Sequence, residues 1–172
     1  MSKWEQDNFI ASQGIPRQVD PQVFLPALLE LVDQGQEVSL VISGGSMTPF
    51  LVHGRDTILI SPVRRPLRRG DMALYRRTNG YYVMHRICRV QMVDGQPHYY
   101  FVGDAQTQIE GPILREQILG HITAVKRKGR WLRRGDFWWE FFAHVWLWLR
   151  PARPVLRRAY GLCFGWKNQQ KN

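Results

Sequence analysis

The sequence predicts a mainly β protein, built as a single coiled antiparallel β-sheet with an N-terminal helix and a C-terminal aromatic helical tail. Short runs rich in β-branched and aromatic residues alternate with glycine-containing turn signals, a pattern typical of strands joined as hairpins. A chain of 172 residues suffices for one domain with a real core, whereas two domains would be cramped. We therefore divide the chain into an arm (1–19), a sheet domain (20–132) and a tail (133–172).

The first predicted element is a helix. Asp20 as N-cap and Pro21 in the first turn indicate a helix that runs to about Asp33 and ends at Gly35. Its predicted apolar side consists of Val23, Phe24, Ala27, Leu28 and Leu31.

The predicted strands follow in order. Two strands occupy 37–42 and 56–60, and a hairpin over 71–93 turns at Thr78-Asn79-Gly80. Further hairpins turn at Asp94-Gly95 and Lys128-Gly129. The segment 105–114 is polar and is interpreted as irregular, and the arginines at 64, 65, 68 and 69 are interpreted as a solvated basic loop.

The excess positive charge of the chain lies in residues 126–172. Residues 1–125 carry 12 Lys and Arg against 12 Asp and Glu, whereas residues 126–172 carry 12 against two, which accounts for the net charge of +10. Such a tail favours an anionic surface as partner. The two cysteines and five histidines show no metal-ligand spacing, so we expect neither a metal nor another cofactor.

A glycine-floored turn follows the first predicted strand and presents one hydroxyl. In Ser43-Gly44-Gly45-Ser46-Met47-Thr48-Pro49, the glycines permit backbone conformations that are closed to other residues. They also let an extended peptide lie close to the backbone, with amide groups directed at a developing oxyanion. Ser46 is therefore the candidate nucleophile, although Ser-Gly-Gly-Ser taken alone is more typical of an ordinary loop.

Three further motifs follow this turn in a fixed order. Together with Ser46-Met47-Thr48-Pro49, the pairs Gly70-Asp71, His85-Arg86 and Gly103-Asp104 resemble the motif series of the signal peptidase I superfamily. Within it, the chain is similar to the branch, shared by endoplasmic-reticulum enzymes and some bacterial ones, in which a histidine replaces the lysine base. The resemblance covers roughly residues 38–125 and implies a coiled-sheet serine endopeptidase that accepts small side chains next to the cut.

The resemblance also implies a role for each matching residue. Ser46 corresponds to the nucleophile and His85 to the general base, which histidine suits because its ordinary pKa lies near ~6.5. The acid that orients His85 is either Asp104, which matches the acidic motif, or Glu110, which lies about where the histidine-type enzymes place their triad aspartate. Asp71 is interpreted as a structural turn residue that bonds nearby amides.

The sequence indicates only one of the two expected hydrogen-bond donors of an oxyanion hole. The Ser46 backbone amide is one expected donor. In the family a small hydroxyl residue stands two positions before the nucleophile, whereas here that position is Gly44 and the serine is one step earlier, at Ser43. The second donor is therefore left open.

Partners and location follow from the ends of the sequence. The first 20 residues are polar, and the first apolar cluster is interrupted by Pro26, Glu30 and Asp33, so we expect no signal peptide or anchor and a cytoplasmic location. The expected substrate is then a leader peptide or another precursor. The alternatives are a non-catalytic module that binds peptide or a membrane surface, and a self-cleaving repressor, for which no DNA-binding helical domain precedes the sheet.

The tail predicts a peripheral membrane contact. Residues 137–149 are apolar except for Glu140 and His144, which with Asp136 recur every four residues and predict a helix with one polar stripe. At 1.5 Å per residue it spans about 20 Å, short of the ~30 Å hydrocarbon core of a bilayer. We expect it, with the apolar piece 159–166, to lie on an anionic membrane surface. The alternative is packing on the sheet or on a partner subunit; nucleic acid is not expected.

Overall fold

One antiparallel sheet, which does not close on itself, organises the part of the chain that the structure describes. The computed structural model describes residues 21–153 and residue 155; the arm, the Asp20 cap and the apolar piece 159–166 lie outside them. In chain order, the elements are helix α1 (Pro21–Asp33) and strands β1 (Val38–Val41), β2 (Thr57–Ser61), β3 (Met72–Arg76), β4 (Tyr82–Val93), β5 (Gln96–Val102), β6 (Glu110–Ile113), β7 (Ile118–Arg127) and β8 (Arg130–Arg133). The spatial order of the strands is β1-β2-β7-β3-β4-β5-β6, with β8 paired to β7.

The turns of two hairpins confirm the sequence-based predictions. Asp94 and Gly95 have φ values of 49° and 77°, and Lys128 and Gly129 have values of 49° and 81°. Positive φ at both central residues is the turn geometry that matches the right-handed twist of paired strands. Each two-residue turn therefore fixes the register of its hairpin.

The segment 105–114 was interpreted from the sequence as irregular, and this is wrong for its last part. Its last part forms the edge strand β6, which pairs with β5 through Tyr99↔Ile113 and Phe101↔Glu110. The sequence Glu110-Gly111-Pro112-Ile113 has little strand character of its own, and it is extended because β5 offers an edge to pair with. This pairing places Glu110 opposite Phe101 of β5.

Helix α1 packs on the sheet through a different row of side chains from the predicted one. Leu25, Leu29 and Val32 are buried, spaced four and three residues apart. Leu28 and Leu31 are only partly buried, and Ala27 is exposed. Two neighbouring rows of this helix are apolar, and the docking angle on the sheet selects between them, which periodicity alone does not encode.

The C-terminal segment is helical from Phe137, as predicted, but half of its aromatic face packs on the sheet domain. It begins as helix α2 (Phe137–Glu140) and continues as a π-helical turn (Phe141–Trp146). Trp139 and Phe142 pack on Phe50, with ring centroids 6.2 Å and 4.8 Å away. The expectation that the whole aromatic face lies in a membrane interface is therefore wrong for this inner half.

The outer half of the segment stays exposed. Phe137 and Trp148 are 72% and 71% exposed, and Trp138 and Val145 are about half exposed. The predicted polar stripe is also present at the surface, where Glu140 Oε2 lies 3.0 Å from His144 Nε2. No helix among the described residues is long and apolar enough to cross a membrane.

Candidate active site

The turn that carries Ser46 is exposed at its tip and anchored in the core at its end. Gly44 has a φ of +84°, a conformation that suits glycine, and its amide donates to His53 Nδ1 at 3.1 Å. Met47, Phe50 and Leu51 are buried, and the Leu51 amide donates to the Met47 carbonyl. Ser46 itself is half-buried. The sequence thus builds a fixed turn with a hydroxyl at its accessible end.

The Gly103-Asp104 loop holds the Ser46 backbone from behind. The Ala105 amide donates to the Ser46 carbonyl oxygen at 2.8 Å. A Cβ atom on Gly103 would stand only 2.6 Å from that same oxygen, so this position accepts no side chain without a shift of the turn. The Ser46 motif and the Gly103-Asp104 motif therefore meet through backbone contact.

The C-terminal segment holds the Gly103-Asp104 loop through hydrogen bonds, which the sequence did not predict. Trp146 Nε1 donates to the Asp104 carbonyl at 2.8 Å. Arg153, which has no exposed surface, donates from Nη1 to the carbonyls of Gly103 and Gln106 at 2.9 and 2.7 Å. These contacts make residues 137–153 part of the scaffold that supports Ser46.

Ser46 and His85 line one open cleft of about 390 Å³. One wall is the end of β1 with the residues leading to Ser46, and the other is the start of β4. Strand β4 pairs with β5 only from Arg86 onward, and the preceding residues 83–85 line the cleft. The cleft therefore offers backbone hydrogen-bonding groups along both walls.

His85 lies within β4, as predicted, and is 3% exposed. Burial lowers the pKa of His85 to about 4; the charge of Glu110 opposes this shift, that of Arg77 reinforces it and that of Asp104 opposes it. The imidazole is therefore neutral at pH 7. Within residues 21–153, no hydrogen bond joins the His85 ring to the Ser46 hydroxyl. The ring is instead hydrogen-bonded through Nδ1 to Tyr75 Oη, at 3.1 Å.

Glu110 approaches His85 on the Nδ1 side of the ring. Its Oε2 atom lies 3.9 Å from His85 Nδ1 and accepts a hydrogen bond of 2.9 Å from Tyr75 Oη. Arg77 pairs with the same carboxylate through two nitrogens, with Nη2 at 2.6 Å from Oε2. Partial burial would raise the pKa of Glu110, but the hydrogen bonds from Arg77 and Tyr75 outweigh it and lower the pKa. The carboxylate is therefore ionised at neutral pH.

Asp104 is hydrogen-bonded to Arg86 and not to the His85 ring. Its two oxygens accept hydrogen bonds from Arg86 Nε and Nη2 at 3.0 and 2.9 Å, and both side chains are fully buried. The sequence left two carboxylates as candidates for the acid that orients His85. Glu110 lies within 4 Å of a His85 ring nitrogen, whereas both Asp104 oxygens are hydrogen-bonded to Arg86.

Asp71 is structural, as predicted. Its Oδ2 accepts from the Arg68 amide at 2.8 Å, which is the expected turn contact. Arg65 adds two hydrogen bonds to the same carboxylate, at 2.8 and 2.9 Å. The expectation that all four arginines of this loop are simply solvated is therefore wrong for Arg65.

Tyr75 and Arg77 are the site residues that the sequence analysis missed. Tyr75 is the one phenol in β3, a strand buried at four of its five positions, and such a hydroxyl needs a polar partner. That signal points to a buried polar contact without naming its other members, because Glu110 reaches the site only through the pairing of β6.

Comparisons with protein-family models and with curated proteins give no independent indication of function. Neither the protein-family models nor the curated proteins include a match to this chain. Within the described residues, no group of three or more His, Cys, Asp or Glu side chains is placed to hold a metal ion. What the arrangement offers chemically is a hydroxyl and a neutral imidazole that line one cleft, with an ionised carboxylate close to the imidazole.

Proposed function

We propose that the protein is a serine endopeptidase in which Ser46 is the nucleophile and His85 the general base. The observation that carries the proposal is that both residues line the same open cleft, with His85 held in its neutral form. A serine hydroxyl needs a neighbouring base that is unprotonated at the working pH, and His85 meets this condition. The motif series that resembles signal peptidase I supports the same assignment.

The substrate is an extended peptide laid along the cleft. Residues 83–85 of β4 and the end of β1 line the cleft, and β4 pairs with β5 only from Arg86 onward, so a peptide in extended conformation gains main-chain hydrogen bonds there by strand addition. The resemblance implies small side chains beside the scissile bond. We propose the leader of a small peptide, or another precursor protein, as the substrate class.

The reaction proceeds through an acyl-enzyme. Ser46 Oγ attacks the scissile carbonyl carbon while its proton passes to His85 Nε2, and the imidazolium then protonates the leaving amine. Water attacks the resulting ester, loses its proton to the same nitrogen, and Ser46 is released. The Ser46 backbone amide, in the turn closed by the hydrogen bond from Leu51 to Met47, is the proposed donor to the oxyanion.

Covalent labelling tests this proposal. A serine-directed fluorophosphonate should modify Ser46, identified by peptide mass spectrometry, and Ser46→Ala should abolish the labelling while the thermal unfolding midpoint is retained. Ser61→Ala is the matched control, because Ser61 is a buried serine of β2 bonded to Thr123 and should leave Ser46 reactive. If the native chain is not labelled but still binds extended peptides, the alternative holds and the protein is a non-catalytic binding module on this fold.

We place this activity at the cytoplasmic face of an anionic membrane. The outer face of the C-terminal segment exposes Phe137, Trp138, Val145 and Trp148, side chains suited to the boundary between lipid headgroups and acyl chains. The exposed Arg130, Arg133 and Arg134 lead directly into this face, and each basic residue near an anionic surface contributes on the order of 1 kcal/mol. A partner subunit is the competing occupant, and binding to liposomes of defined charge separates the two.

A further inference from the structure

We propose that the Tyr75 hydroxyl is the group that orients His85, and that Glu110 acts on the imidazole through this hydroxyl. Tyr75 is then a positioning residue in a relay that runs from Ser46 through His85 and Tyr75 to Glu110. Its catalytic meaning rests on the peptidase function proposed above. The hydrogen-bond order within the relay is a property of the protein whether or not it cleaves peptides.

Sheet register brings Tyr75 to His85. Strands β3 and β4 pair antiparallel with Ala73 opposite His85 and Tyr75 opposite Val83, so Tyr75 and His85 are diagonal neighbours on one face. The Tyr75 ring stacks on Phe101 with centroids 4.4 Å apart, and it has no exposed surface. The hydroxyl is therefore held in one position, 3.1 Å from His85 Nδ1 and 2.9 Å from Glu110 Oε2.

Counting protons fixes the direction of both hydrogen bonds. Glu110 is ionised and can only accept, so the single hydroxyl proton of Tyr75 points at Glu110. The Tyr75 oxygen then accepts from His85, which requires that the imidazole carry its proton on Nδ1. The lone pair of the ring consequently lies on Nε2, the nitrogen that the reaction needs as base.

A direct hydrogen bond between Glu110 and His85 is excluded by distance. The 3.9 Å between Glu110 Oε2 and His85 Nδ1 is too long for a hydrogen bond, whereas both contacts of Tyr75 are of normal length. The relay does not work by ionising Tyr75, because burial and the adjacent Glu110 raise the pKa of its hydroxyl. Tyr75 therefore stays a neutral donor and acceptor throughout.

The relay stabilises the charged intermediate without moving a proton. When Nε2 takes the Ser46 proton, the Nδ1 proton remains on the ring and its hydrogen bond to Tyr75 strengthens. Arg77 already offsets much of the Glu110 charge through two contacts, so the main effect of the relay is on tautomer and ring orientation. A histidine held in the wrong tautomer is a poor base even where the geometry is otherwise intact.

Nitrogen NMR and labelling kinetics test the relay together. With 15N-labelled histidine, the native His85 ring should show the Nδ1-protonated tautomer at pH 7. Tyr75→Phe should shift the ring toward the Nε2-protonated tautomer and slow fluorophosphonate labelling of Ser46 about tenfold or more, as expected when the tautomer is no longer fixed. Tyr99→Phe is the control, since Tyr99 is a buried tyrosine of the same apolar cluster and should change neither readout.

The outcomes separate this inference from the proposed function. An Nε2-protonated native ring, or an unchanged tautomer and labelling rate in Tyr75→Phe, overturns the relay. The native spectrum decides the tautomer even if Tyr75→Phe fails to fold. An Nδ1-protonated native ring in a protein whose Ser46 is never labelled supports the relay geometry and counts against the peptidase.

Discussion

Arg86 and Asp104 form a bidentate ion pair, with nitrogen–oxygen distances of 3.0 and 2.9 Å, and neither side chain has any exposed surface. Arg86 follows the candidate base directly in β4, and its Nη1 atom also donates to the Gly70 carbonyl at 3.0 Å. Asp104 lies in the loop that holds the Ser46 carbonyl through the Ala105 amide. The pair therefore ties the strand of the base to the support of the nucleophile.

The two carboxylates near the site should differ in what they contribute. Asp104→Asn leaves a buried Arg86 charge uncompensated, and we expect it to lower the free energy of unfolding by about 3–5 kcal/mol. Glu110→Gln alters a partly exposed group and should cost far less stability while slowing fluorophosphonate labelling of Ser46. Urea unfolding and labelling rates measure the two effects. Equal stability losses in both variants would contradict the structural role assigned to Asp104.

Gly103 should tolerate no side chain because of its contact with Ser46. Gly103→Ala places a Cβ 2.6 Å from the Ser46 carbonyl oxygen, so the turn must move and labelling of Ser46 should fall at least about tenfold. Gly120→Ala provides the comparison, since its Cβ would clash with Ile60 Cγ2 inside the core. Both variants should lose about 1–3 kcal/mol of stability from overpacking. Only Gly103→Ala should lose reactivity beyond what its stability explains, and a matching loss in Gly120→Ala would refute the contact argument.

Features encoded by neighbouring residues could be predicted from the sequence. The turns at Asp94-Gly95 and Lys128-Gly129, the strand that carries His85 and the turn that carries Ser46 all depend on local propensity. The Tyr75–Glu110 contact could not be predicted, because it joins residues 35 apart through the pairing of β6, which has little strand propensity.

The tail shows the same limit at the level of single positions. Trp138 and Trp139 are adjacent and chemically identical, yet the first is 48% exposed and the second 4% exposed. Periodicity predicted a helix with a wide aromatic face, and the helix is present. Which half of that face packs inward depends on Phe50 at the end of the Ser46 turn and on the π-helical turn, which shifts the phase of the residues after Glu140.

The pH dependence of Ser46 reactivity should reflect the burial of His85. Burial lowers the pKa of His85 to about 4, so the neutral base persists well below the range of an ordinary histidine. The labelling rate should rise with pH through a midpoint near pH 4 to 5 and be level by pH 6. A midpoint near pH 6.5 would mean that the ring is solvated, and a rate that stays flat until above pH 8 would indicate a different base.

The same shift predicts how stability depends on pH. Between about pH 4 and 6.5, the unfolded chain protonates this histidine while the folded chain does not, so the free energy of unfolding rises with pH across this window. The contribution is complete above pH 6.5 and is lost as the pH falls toward 4. His85→Gln should flatten this part of the stability curve in urea titrations. An unchanged slope in that variant would show that another group causes the dependence.

The outer face of the C-terminal segment should bind anionic liposomes. Removing the whole tail is a poor test, because Trp139, Phe142 and Leu147 belong to the packed interior and their loss would expose the core. The point variants Phe137→Ser and Trp148→Ser change only exposed side chains. Combined, they should weaken co-sedimentation with anionic liposomes by at least about tenfold, since each buries much of a large aromatic surface in the interface.

Two controls decide what the face recognises. Tyr81→Ser and Met92→Ser remove exposed apolar side chains of similar exposure, 58% and 62%, from the hairpins at the two ends of β4, and they should bind like the native chain. Zwitterionic liposomes and high salt should both weaken native binding, because the arginines at 130, 133 and 134 contribute through charge. Binding that is equal in all variants would remove the lipid assignment. If Phe137→Ser and Trp148→Ser instead lower the mass of the particle in solution, the face is covered by a second copy of the chain, since a lipid contact leaves the protein mass unchanged.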